Sequence, residues 1–182
     1  MRRLALRLVW GCYGFWLPND TRGSWSRYVG SRAIYDAGGQ ATTVDGTHSY
    51  AKDRHDRERR LATKAALIDP PVRLTGEQAR AAAIGVLAAV ADAHLPVYAL
   101  CVMPDHVHVV VQETGKDAKA LIGRSKSFAT KRLNAMGLSP RGEKTPWVRG
   151  GWFISIKNRE QLLCAIRYVE NNPLAAGLRR QC

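Results

Sequence analysis

Strand-like patterning is strongest between residues 97 and 112, Val-Tyr-Ala-Leu-Cys-Val-Met-Pro-Asp-His-Val-His-Val-Val-Val-Gln, where an apolar run is broken once, at Pro104-Asp105. Proline followed by aspartate is turn chemistry, so the run reads as a hairpin whose first strand covers 97–103. Residues two apart in a strand share a face. The second strand therefore turns His106 and His108 one way and Val107, Val109 and Val111 the other. Two imidazoles are set on one rigid surface. Taken alone, the pair is compatible both with solvated surface histidines and with half of a metal site.

The rest of the chain supplies elements on either side of this hairpin. Residues 4–9 are apolar apart from Arg7 and stop in glycines and Pro18-Asn19-Asp20, which predicts a first strand. Helical spacing takes over at residue 75. Thr75 followed by Gln78 is an N-cap signal, and Ala79, Ala82, Ala83, Val86, Leu87 and Val90 mark one apolar face of a helix running to about His94. A second helical pattern covers 117–136, with Ala118, Leu121, Ile122, Ser125, Phe128 and Leu133 inward and Gly137 at its end. Residues 152–156 are aromatic and β-branched enough for a fourth strand. Asn158 then leads into a last helix over 160–172, buried through Leu162, Leu163, Ile166 and Val169 and ended by Pro173. Strand, helix, strand, strand, helix, strand and a further helix is the order of an α+β fold. It predicts a ferredoxin-like split β-α-β antiparallel sheet with helices on one face and an extra C-terminal helix carrying Tyr168. Between residues 29 and 69 the pattern weakens, and the mixed charges of 52–60 read as a solvated loop or short exposed helix. A chain of 182 residues needs only one domain, 1–182, with 29–69 as a divergent or inserted segment.

Charge narrows the class of partner. The formal net charge is +13, so an anionic partner is expected, nucleic acid first. No apolar stretch is long enough to span a bilayer and no lipidation signal is present, so no membrane partner is expected. The outer face of the 117–136 helix carries Lys116, Lys119, Arg124, Lys126, Lys131 and Arg132, suited to phosphate. Tyr13, Phe15, Trp16 and Trp25 stand among Arg22 and Arg27, a mixture that stacks on unpaired bases or caps the core. The candidate DNA contacts are Tyr13, Trp16, Arg22, Trp25, Arg124, Lys126, Lys131 and Arg132. Four cysteines without a Cys-x-x-Cys pair argue against a thiolate zinc site and a disulfide framework, and fit a reducing cytoplasm.

On the last helix Tyr168 and Asn172 are four residues apart and share a side. If that helix lies beside the hairpin, Asn172 Oδ1 joins His106 and His108 around one metal, with positions left open for substrate oxygens. A buried tyrosine and a C-terminal cap before proline is the alternative.

Two segments bring these residues into a recognisable set. Met103-Pro-Asp-His-Val-His-Val-Val-Val111 together with Arg167-Tyr-Val-Glu-Asn-Asn-Pro-Leu-Ala-Ala-Gly-Leu178 closely resembles the single-tyrosine HUH transposases, especially the branch of REP-associated tyrosine transposases. Gly14-Phe-Trp-Leu-Pro-Asn-Asp-Thr-Arg-Gly-Ser-Trp25, the stretch at Lys126 and residues 147–153 are similar to the same family. The resemblance implies that His106 and His108 are the metal-binding pair, Asn172 the polar residue completing the site, and Tyr168 the catalytic nucleophile. It further implies Mg²⁺ or Mn²⁺ as cofactor and single-stranded DNA with hairpin structure as partner. The expected activity is that of an endonuclease and strand transferase, a 5′-phosphotyrosine intermediate preserving the bond energy for rejoining. The oligomeric state is left open between monomer and homodimer, and the expected location is the cytoplasm, at the nucleoid when bound to DNA. Two competing readings are a domesticated, non-catalytic hairpin-DNA-binding protein, and a zinc hydrolase in which Tyr168 is dispensable.

Overall fold

The structure is a computed structural model that describes residues 3–20, 29–41 and 56–179. In chain order its elements are β1 (Ala5–Gly11), α1 (Arg32–Gly38), α2 (Arg57–Ala65), α3 (Gly76–Asp92), β2 (Val97–Val102), β3 (His106–Gln112), α4 (Ala118–Ala135), β4 (Trp152–Ile156) and α5 (Arg159–Ala175). They fall into two compact units, one made of Met1–Cys12 with Val72–Cys182 and the other of Tyr13–Pro71. The smaller unit is wider on both sides than the weakly patterned 29–69 segment. It contains α1, which the hydropathy pattern did not announce, and α2, which begins in the charge run that reads as a solvated loop or short exposed helix. Gly38 of α1 meets the buried Thr63 of α2 so closely that a Cβ there would lie 2.3 Å from the Thr63 hydroxyl.

In the larger unit the four strands form one antiparallel sheet in the order β2-β3-β1-β4, the arrangement expected for the split β-α-β fold. Alternation makes its two faces chemically different. Leu6, Leu8, Trp10, Val107, Val109 and Val111 are buried on one face, which α3 and α4 cover. On the other, Ala5, Cys101, Val110 and Ile156 pack with Ala165 and Val169 of α5. That second face also carries His106 and His108, because they share the parity of Val110.

The helices are delimited by their caps. Thr75 and Gln78 form the reciprocal capping box of α3, satisfying backbone N–H groups that the first turn leaves without partners. Asp117 caps α4 through the amides of Lys119 and Ala120. The inner face of α3 is rotated from the expected one: Ala81, Gly85 and Ala89 are buried whereas Leu87 is exposed. The reason is the close approach of α4, since a Cβ at Gly85 would lie 2.5 Å from Ala129 Cα. Only a stripe of very small residues admits that spacing.

Two expectations for α5 are corrected. Leu163 is exposed; Val169 is buried as expected, in a stripe with Ala165 and Pro173 at helical spacing, and Leu162 packs beside it. Pro173 does not end the helix, which continues to Ala175 with Ala176 as its cap. Proline lacks only one N–H. The next bonds still form, and the turn closes through Gly177, whose N–H reaches Leu174 O, and Leu178, whose N–H reaches Pro173 O. Asn172 is therefore an in-helix residue and not a cap.

Candidate active site

The hairpin turn holds the two histidines in place. Met103 donates to His106 O at 2.7 Å, leaving Pro104-Asp105 as the two-residue connection. Its carbonyls are anchored as well: Cys12 N–H bonds Asp105 O and Leu74 N–H bonds Pro104 O, each at 2.8 Å. A turn fixed at both peptides presents the following residues, His106 to His108, in one orientation. The two imidazoles sit edge to face with ring centroids 4.8 Å apart.

Each histidine has its own environment. Asp105 Oδ1 lies 2.6 Å from His106 Nδ1, so the carboxylate orients that ring. His108 is almost wholly buried, and its Nδ1 has no hydrogen-bond partner. Burial above all, then the charges of His106 and Arg7, push this imidazole well below its ordinary range, with Asp105 opposing. A neutral ring with an open lone pair is the form that binds a metal.

Helix α5 delivers the remaining groups. Ala165 and Val169 dock on Val110 and Cys101, which places the intervening Tyr168 at the border of the buried stripe. Its ring meets His108 edge to face at 5.4 Å between centroids while remaining 46% exposed, so the phenol is packed against the histidine and still reachable from solvent. One turn later, Asn172 lines a cleft of about 340 Å³ together with His106, Asp105 and Arg73. His106, His108, Tyr168 and Asn172, drawn from two segments some sixty residues apart, are thus brought to one side of the sheet.

Arg7 was not among the candidate residues, yet it belongs to this site. Register pairing of Arg7 with Val110 turns it to the histidine face, and its guanidinium carbon lies 4.6 Å from the Tyr168 ring centroid. Burial lowers its pKa, with Tyr168 opposing. A charged residue in phase with the histidine face of a strand pair was the available signal. Finding it required knowing which strands pair.

The expected DNA contacts are not part of this cluster. Arg124, Lys126, Lys131 and Arg132 lie on α4, across the sheet from α5. Lys126 does not stand on the outer basic face: its ammonium donates to Val148 O at 2.8 Å and also to Gly150 O, tying down the segment before β4. Arg124 pairs with Asp92, and Lys131 lies over the Phe128 ring at 5.8 Å. Arg132 is exposed. Tyr13 and Trp16 are half-buried in the smaller unit, and Arg22 and Trp25 lie outside the described residues. Among the described residues no helix is long and apolar enough to cross a membrane.

Comparison with known proteins agrees with this architecture. A solved structure described as "Structure of the REP associates tyrosine transposase bound to a REP hairpin" matches with a TM-score of 0.53 and 13% identity, covering 98% of this chain and 72% of that one. At that identity the likeness concerns the fold. No curated protein sequence matches. The family model described as "Transposase IS200 like" matches residues 75–172, which include the hairpin with both histidines and the helix as far as Asn172. With more than half of its sequence covered by that match, the chain belongs to the IS200-like transposases.

Proposed function

We propose that this transposase is a metal-dependent single-stranded DNA endonuclease and strand transferase that acts through a 5′-phosphotyrosine at sites near DNA hairpins. The observation that carries the proposal is the packing of the half-exposed Tyr168 phenol against the buried His108 imidazole, with His106 beside it. In the step envisaged, Tyr168 Oη attacks the scissile phosphorus and the bond from phosphorus to O3′ breaks. The phenol loses its proton and the departing 3′-oxygen gains one, leaving a 3′-hydroxyl. One phosphodiester is exchanged for another, so the step reverses without an external energy source.

The buried, unpartnered Nδ1 of His108 fits a divalent cation that accepts imidazole. The protein ligands would be His106 and His108, which sit side by side, and Asn172 Oδ1, which shares a cleft with His106. Burial pushes the Cys12 and Cys101 thiols up to about 12 and about 11, so neither offers a ready thiolate. Mg²⁺ or Mn²⁺ is the ion that the family resemblance implies; on ligand preference alone, two imidazoles would also admit zinc. When bound, the ion would offset the phosphate's negative charge and favour attack. The protein's part is separate. Asp105 orients His106, the hairpin turn fixes both rings, and α5 brings the phenol to them. That the structurally similar REP-associated protein is bound to a REP hairpin supports a hairpin substrate.

The test is incubation with labelled single-stranded hairpin DNA and Mn²⁺. A covalent protein–DNA adduct is expected from the unaltered chain and none from Tyr168→Phe; an adduct that survives the substitution rejects Tyr168 as nucleophile. Salt-sensitive binding that is indifferent to His106→Ala, with no strand cleaved, would instead identify a non-catalytic hairpin-binding protein.

A further inference from the structure

Arg7 is unusual for its place. It stands at the middle of β1, paired with Val110 on one side and Ile154 on the other, in a row that is otherwise apolar. Its Nε is buried without a hydrogen-bond partner, and among the described residues no carboxylate forms an ion pair with it. Arg7 is half-buried, and a partly desolvated cation lacking an acid costs stability where an aliphatic residue of similar length would suit the sheet better. Packing therefore does not account for an arginine here.

What the guanidinium does face is the nucleophile's ring. Its carbon lies 4.6 Å from the Tyr168 centroid, within cation–π range, while the edge contact with His108 constrains the same ring from another direction. Tyr168 is nearly half exposed, and a tyrosine so placed on a helix surface would otherwise sample several rotamers. Two contacts, one with a cation and one with an imidazole, hold it to one.

We propose that Arg7 is a positioning residue for the nucleophile, its guanidinium fixing the Tyr168 ring against His108 in the orientation from which the phenol oxygen attacks. The role rests on the strand-transferase reading, in which the reacting oxygen must be aligned with the scissile phosphorus. Misplacement of a reacting group by about 1 Å costs on the order of 100-fold in rate. Lysine retains the charge but has no planar face to lie on the ring.

The experiment measures single-turnover adduct formation at saturating hairpin DNA with Mn²⁺, DNA affinity without metal, and thermal unfolding, for the unaltered chain, Arg7→Met and Arg7→Lys. Arg7→Met is expected to fold, to bind DNA within about threefold of the original and to form adduct about 100-fold more slowly, with Arg7→Lys between the two. Adduct formation at the original rate by Arg7→Met overturns the positioning role and leaves the strand-transferase reading standing. A rate loss matched by an equal loss of DNA affinity also overturns it, making Arg7 a DNA contact. Should Arg7→Met unfold, a folded Arg7→Lys working at the original rate assigns the residue to the fold alone and again overturns the role. Absence of adduct from the unaltered chain, by contrast, would reject the strand-transferase reading itself.

Discussion

Asp105 is where a single residue has most influence on the proposed metal site without touching a metal. Its carboxylate, 2.6 Å from His106 Nδ1, favours the tautomer with the proton on that nitrogen and leaves the other nitrogen's lone pair for a metal. On the proposed ligand set, Asp105→Asn is expected to weaken Mn²⁺ binding about 10- to 100-fold, as read by calorimetric titration, with unfolding temperature little changed. Lys126 is the matching case for the scaffold. Burial lowers its pKa from 10.5 to about 8, so between those values the unfolded chain binds more protons than the folded one. Stability is then expected to rise as pH climbs from about 8 towards 10.5 and, on the way down, to be lost again by about pH 8. Subtracting the stability of Lys126→Met measured over the same range isolates this contribution, and a flat difference would contradict it. The two residues differ in how readable they were. Asp105 adjoins His106 in sequence, so its partner is local. Lys126 looked like one more cation on a basic helix until the folded chain brought Val148 and Gly150 to its ammonium.

Among the elements, α3 and α4 show how little of a helix interface periodicity specifies. Both helices were readable, and so was the cap of α3, because Thr75 and Gln78 act on backbone groups within a turn of themselves. The buried face of α3 was not, since Leu87 is the larger hydrophobe and yet lies outside while Gly85 lies inside. Gly85→Ala is expected to destabilise the fold by about 1–3 kcal/mol in denaturant unfolding, even though alanine is the better helix former, because the added Cβ meets Ala129 backbone. Helix α5 has a comparable subtlety. Its continuation through Pro173 puts Asn172 one turn after Tyr168 with intact helical geometry, and a helix ending at 172 would have left that amide on a frayed end.

For the molecule as a whole, charge and topology act on different things. A net charge of +13 concerns association with an anionic partner and says little about the fold. Affinity for single-stranded DNA is expected to fall more than about tenfold between 50 and 200 mM salt, each phosphate contact adding roughly −0.7 to the log–log slope. Titrations at several salt concentrations give that slope directly, and a value near zero would show that stacking and not charge holds the strand. Topology does the other task. The β2-β3-β1-β4 order sets β3 beside β1 at the centre of the sheet, and α5 on the face opposite α3 and α4. Only this arrangement places Arg7, His108 and Tyr168, from the beginning, middle and end of the chain, within one cluster.

The amino-acid order alone determined what neighbours and near neighbours decide: the strands, the starts of α3, α4 and α5, the hairpin turn, the shared face of His106 and His108, and the alignment of Tyr168 with Asn172. These follow from periods of two and 3.6 residues and from caps that act within one turn. Tertiary structure alone decided which helix face is buried, the inward turn of Lys126, the separation of residues 13–71 as a second unit, and the meeting of Arg7 with Tyr168. Those depend on strand pairing and on how closely two backbones approach, quantities set by contacts between distant parts of the chain that no local pattern encodes.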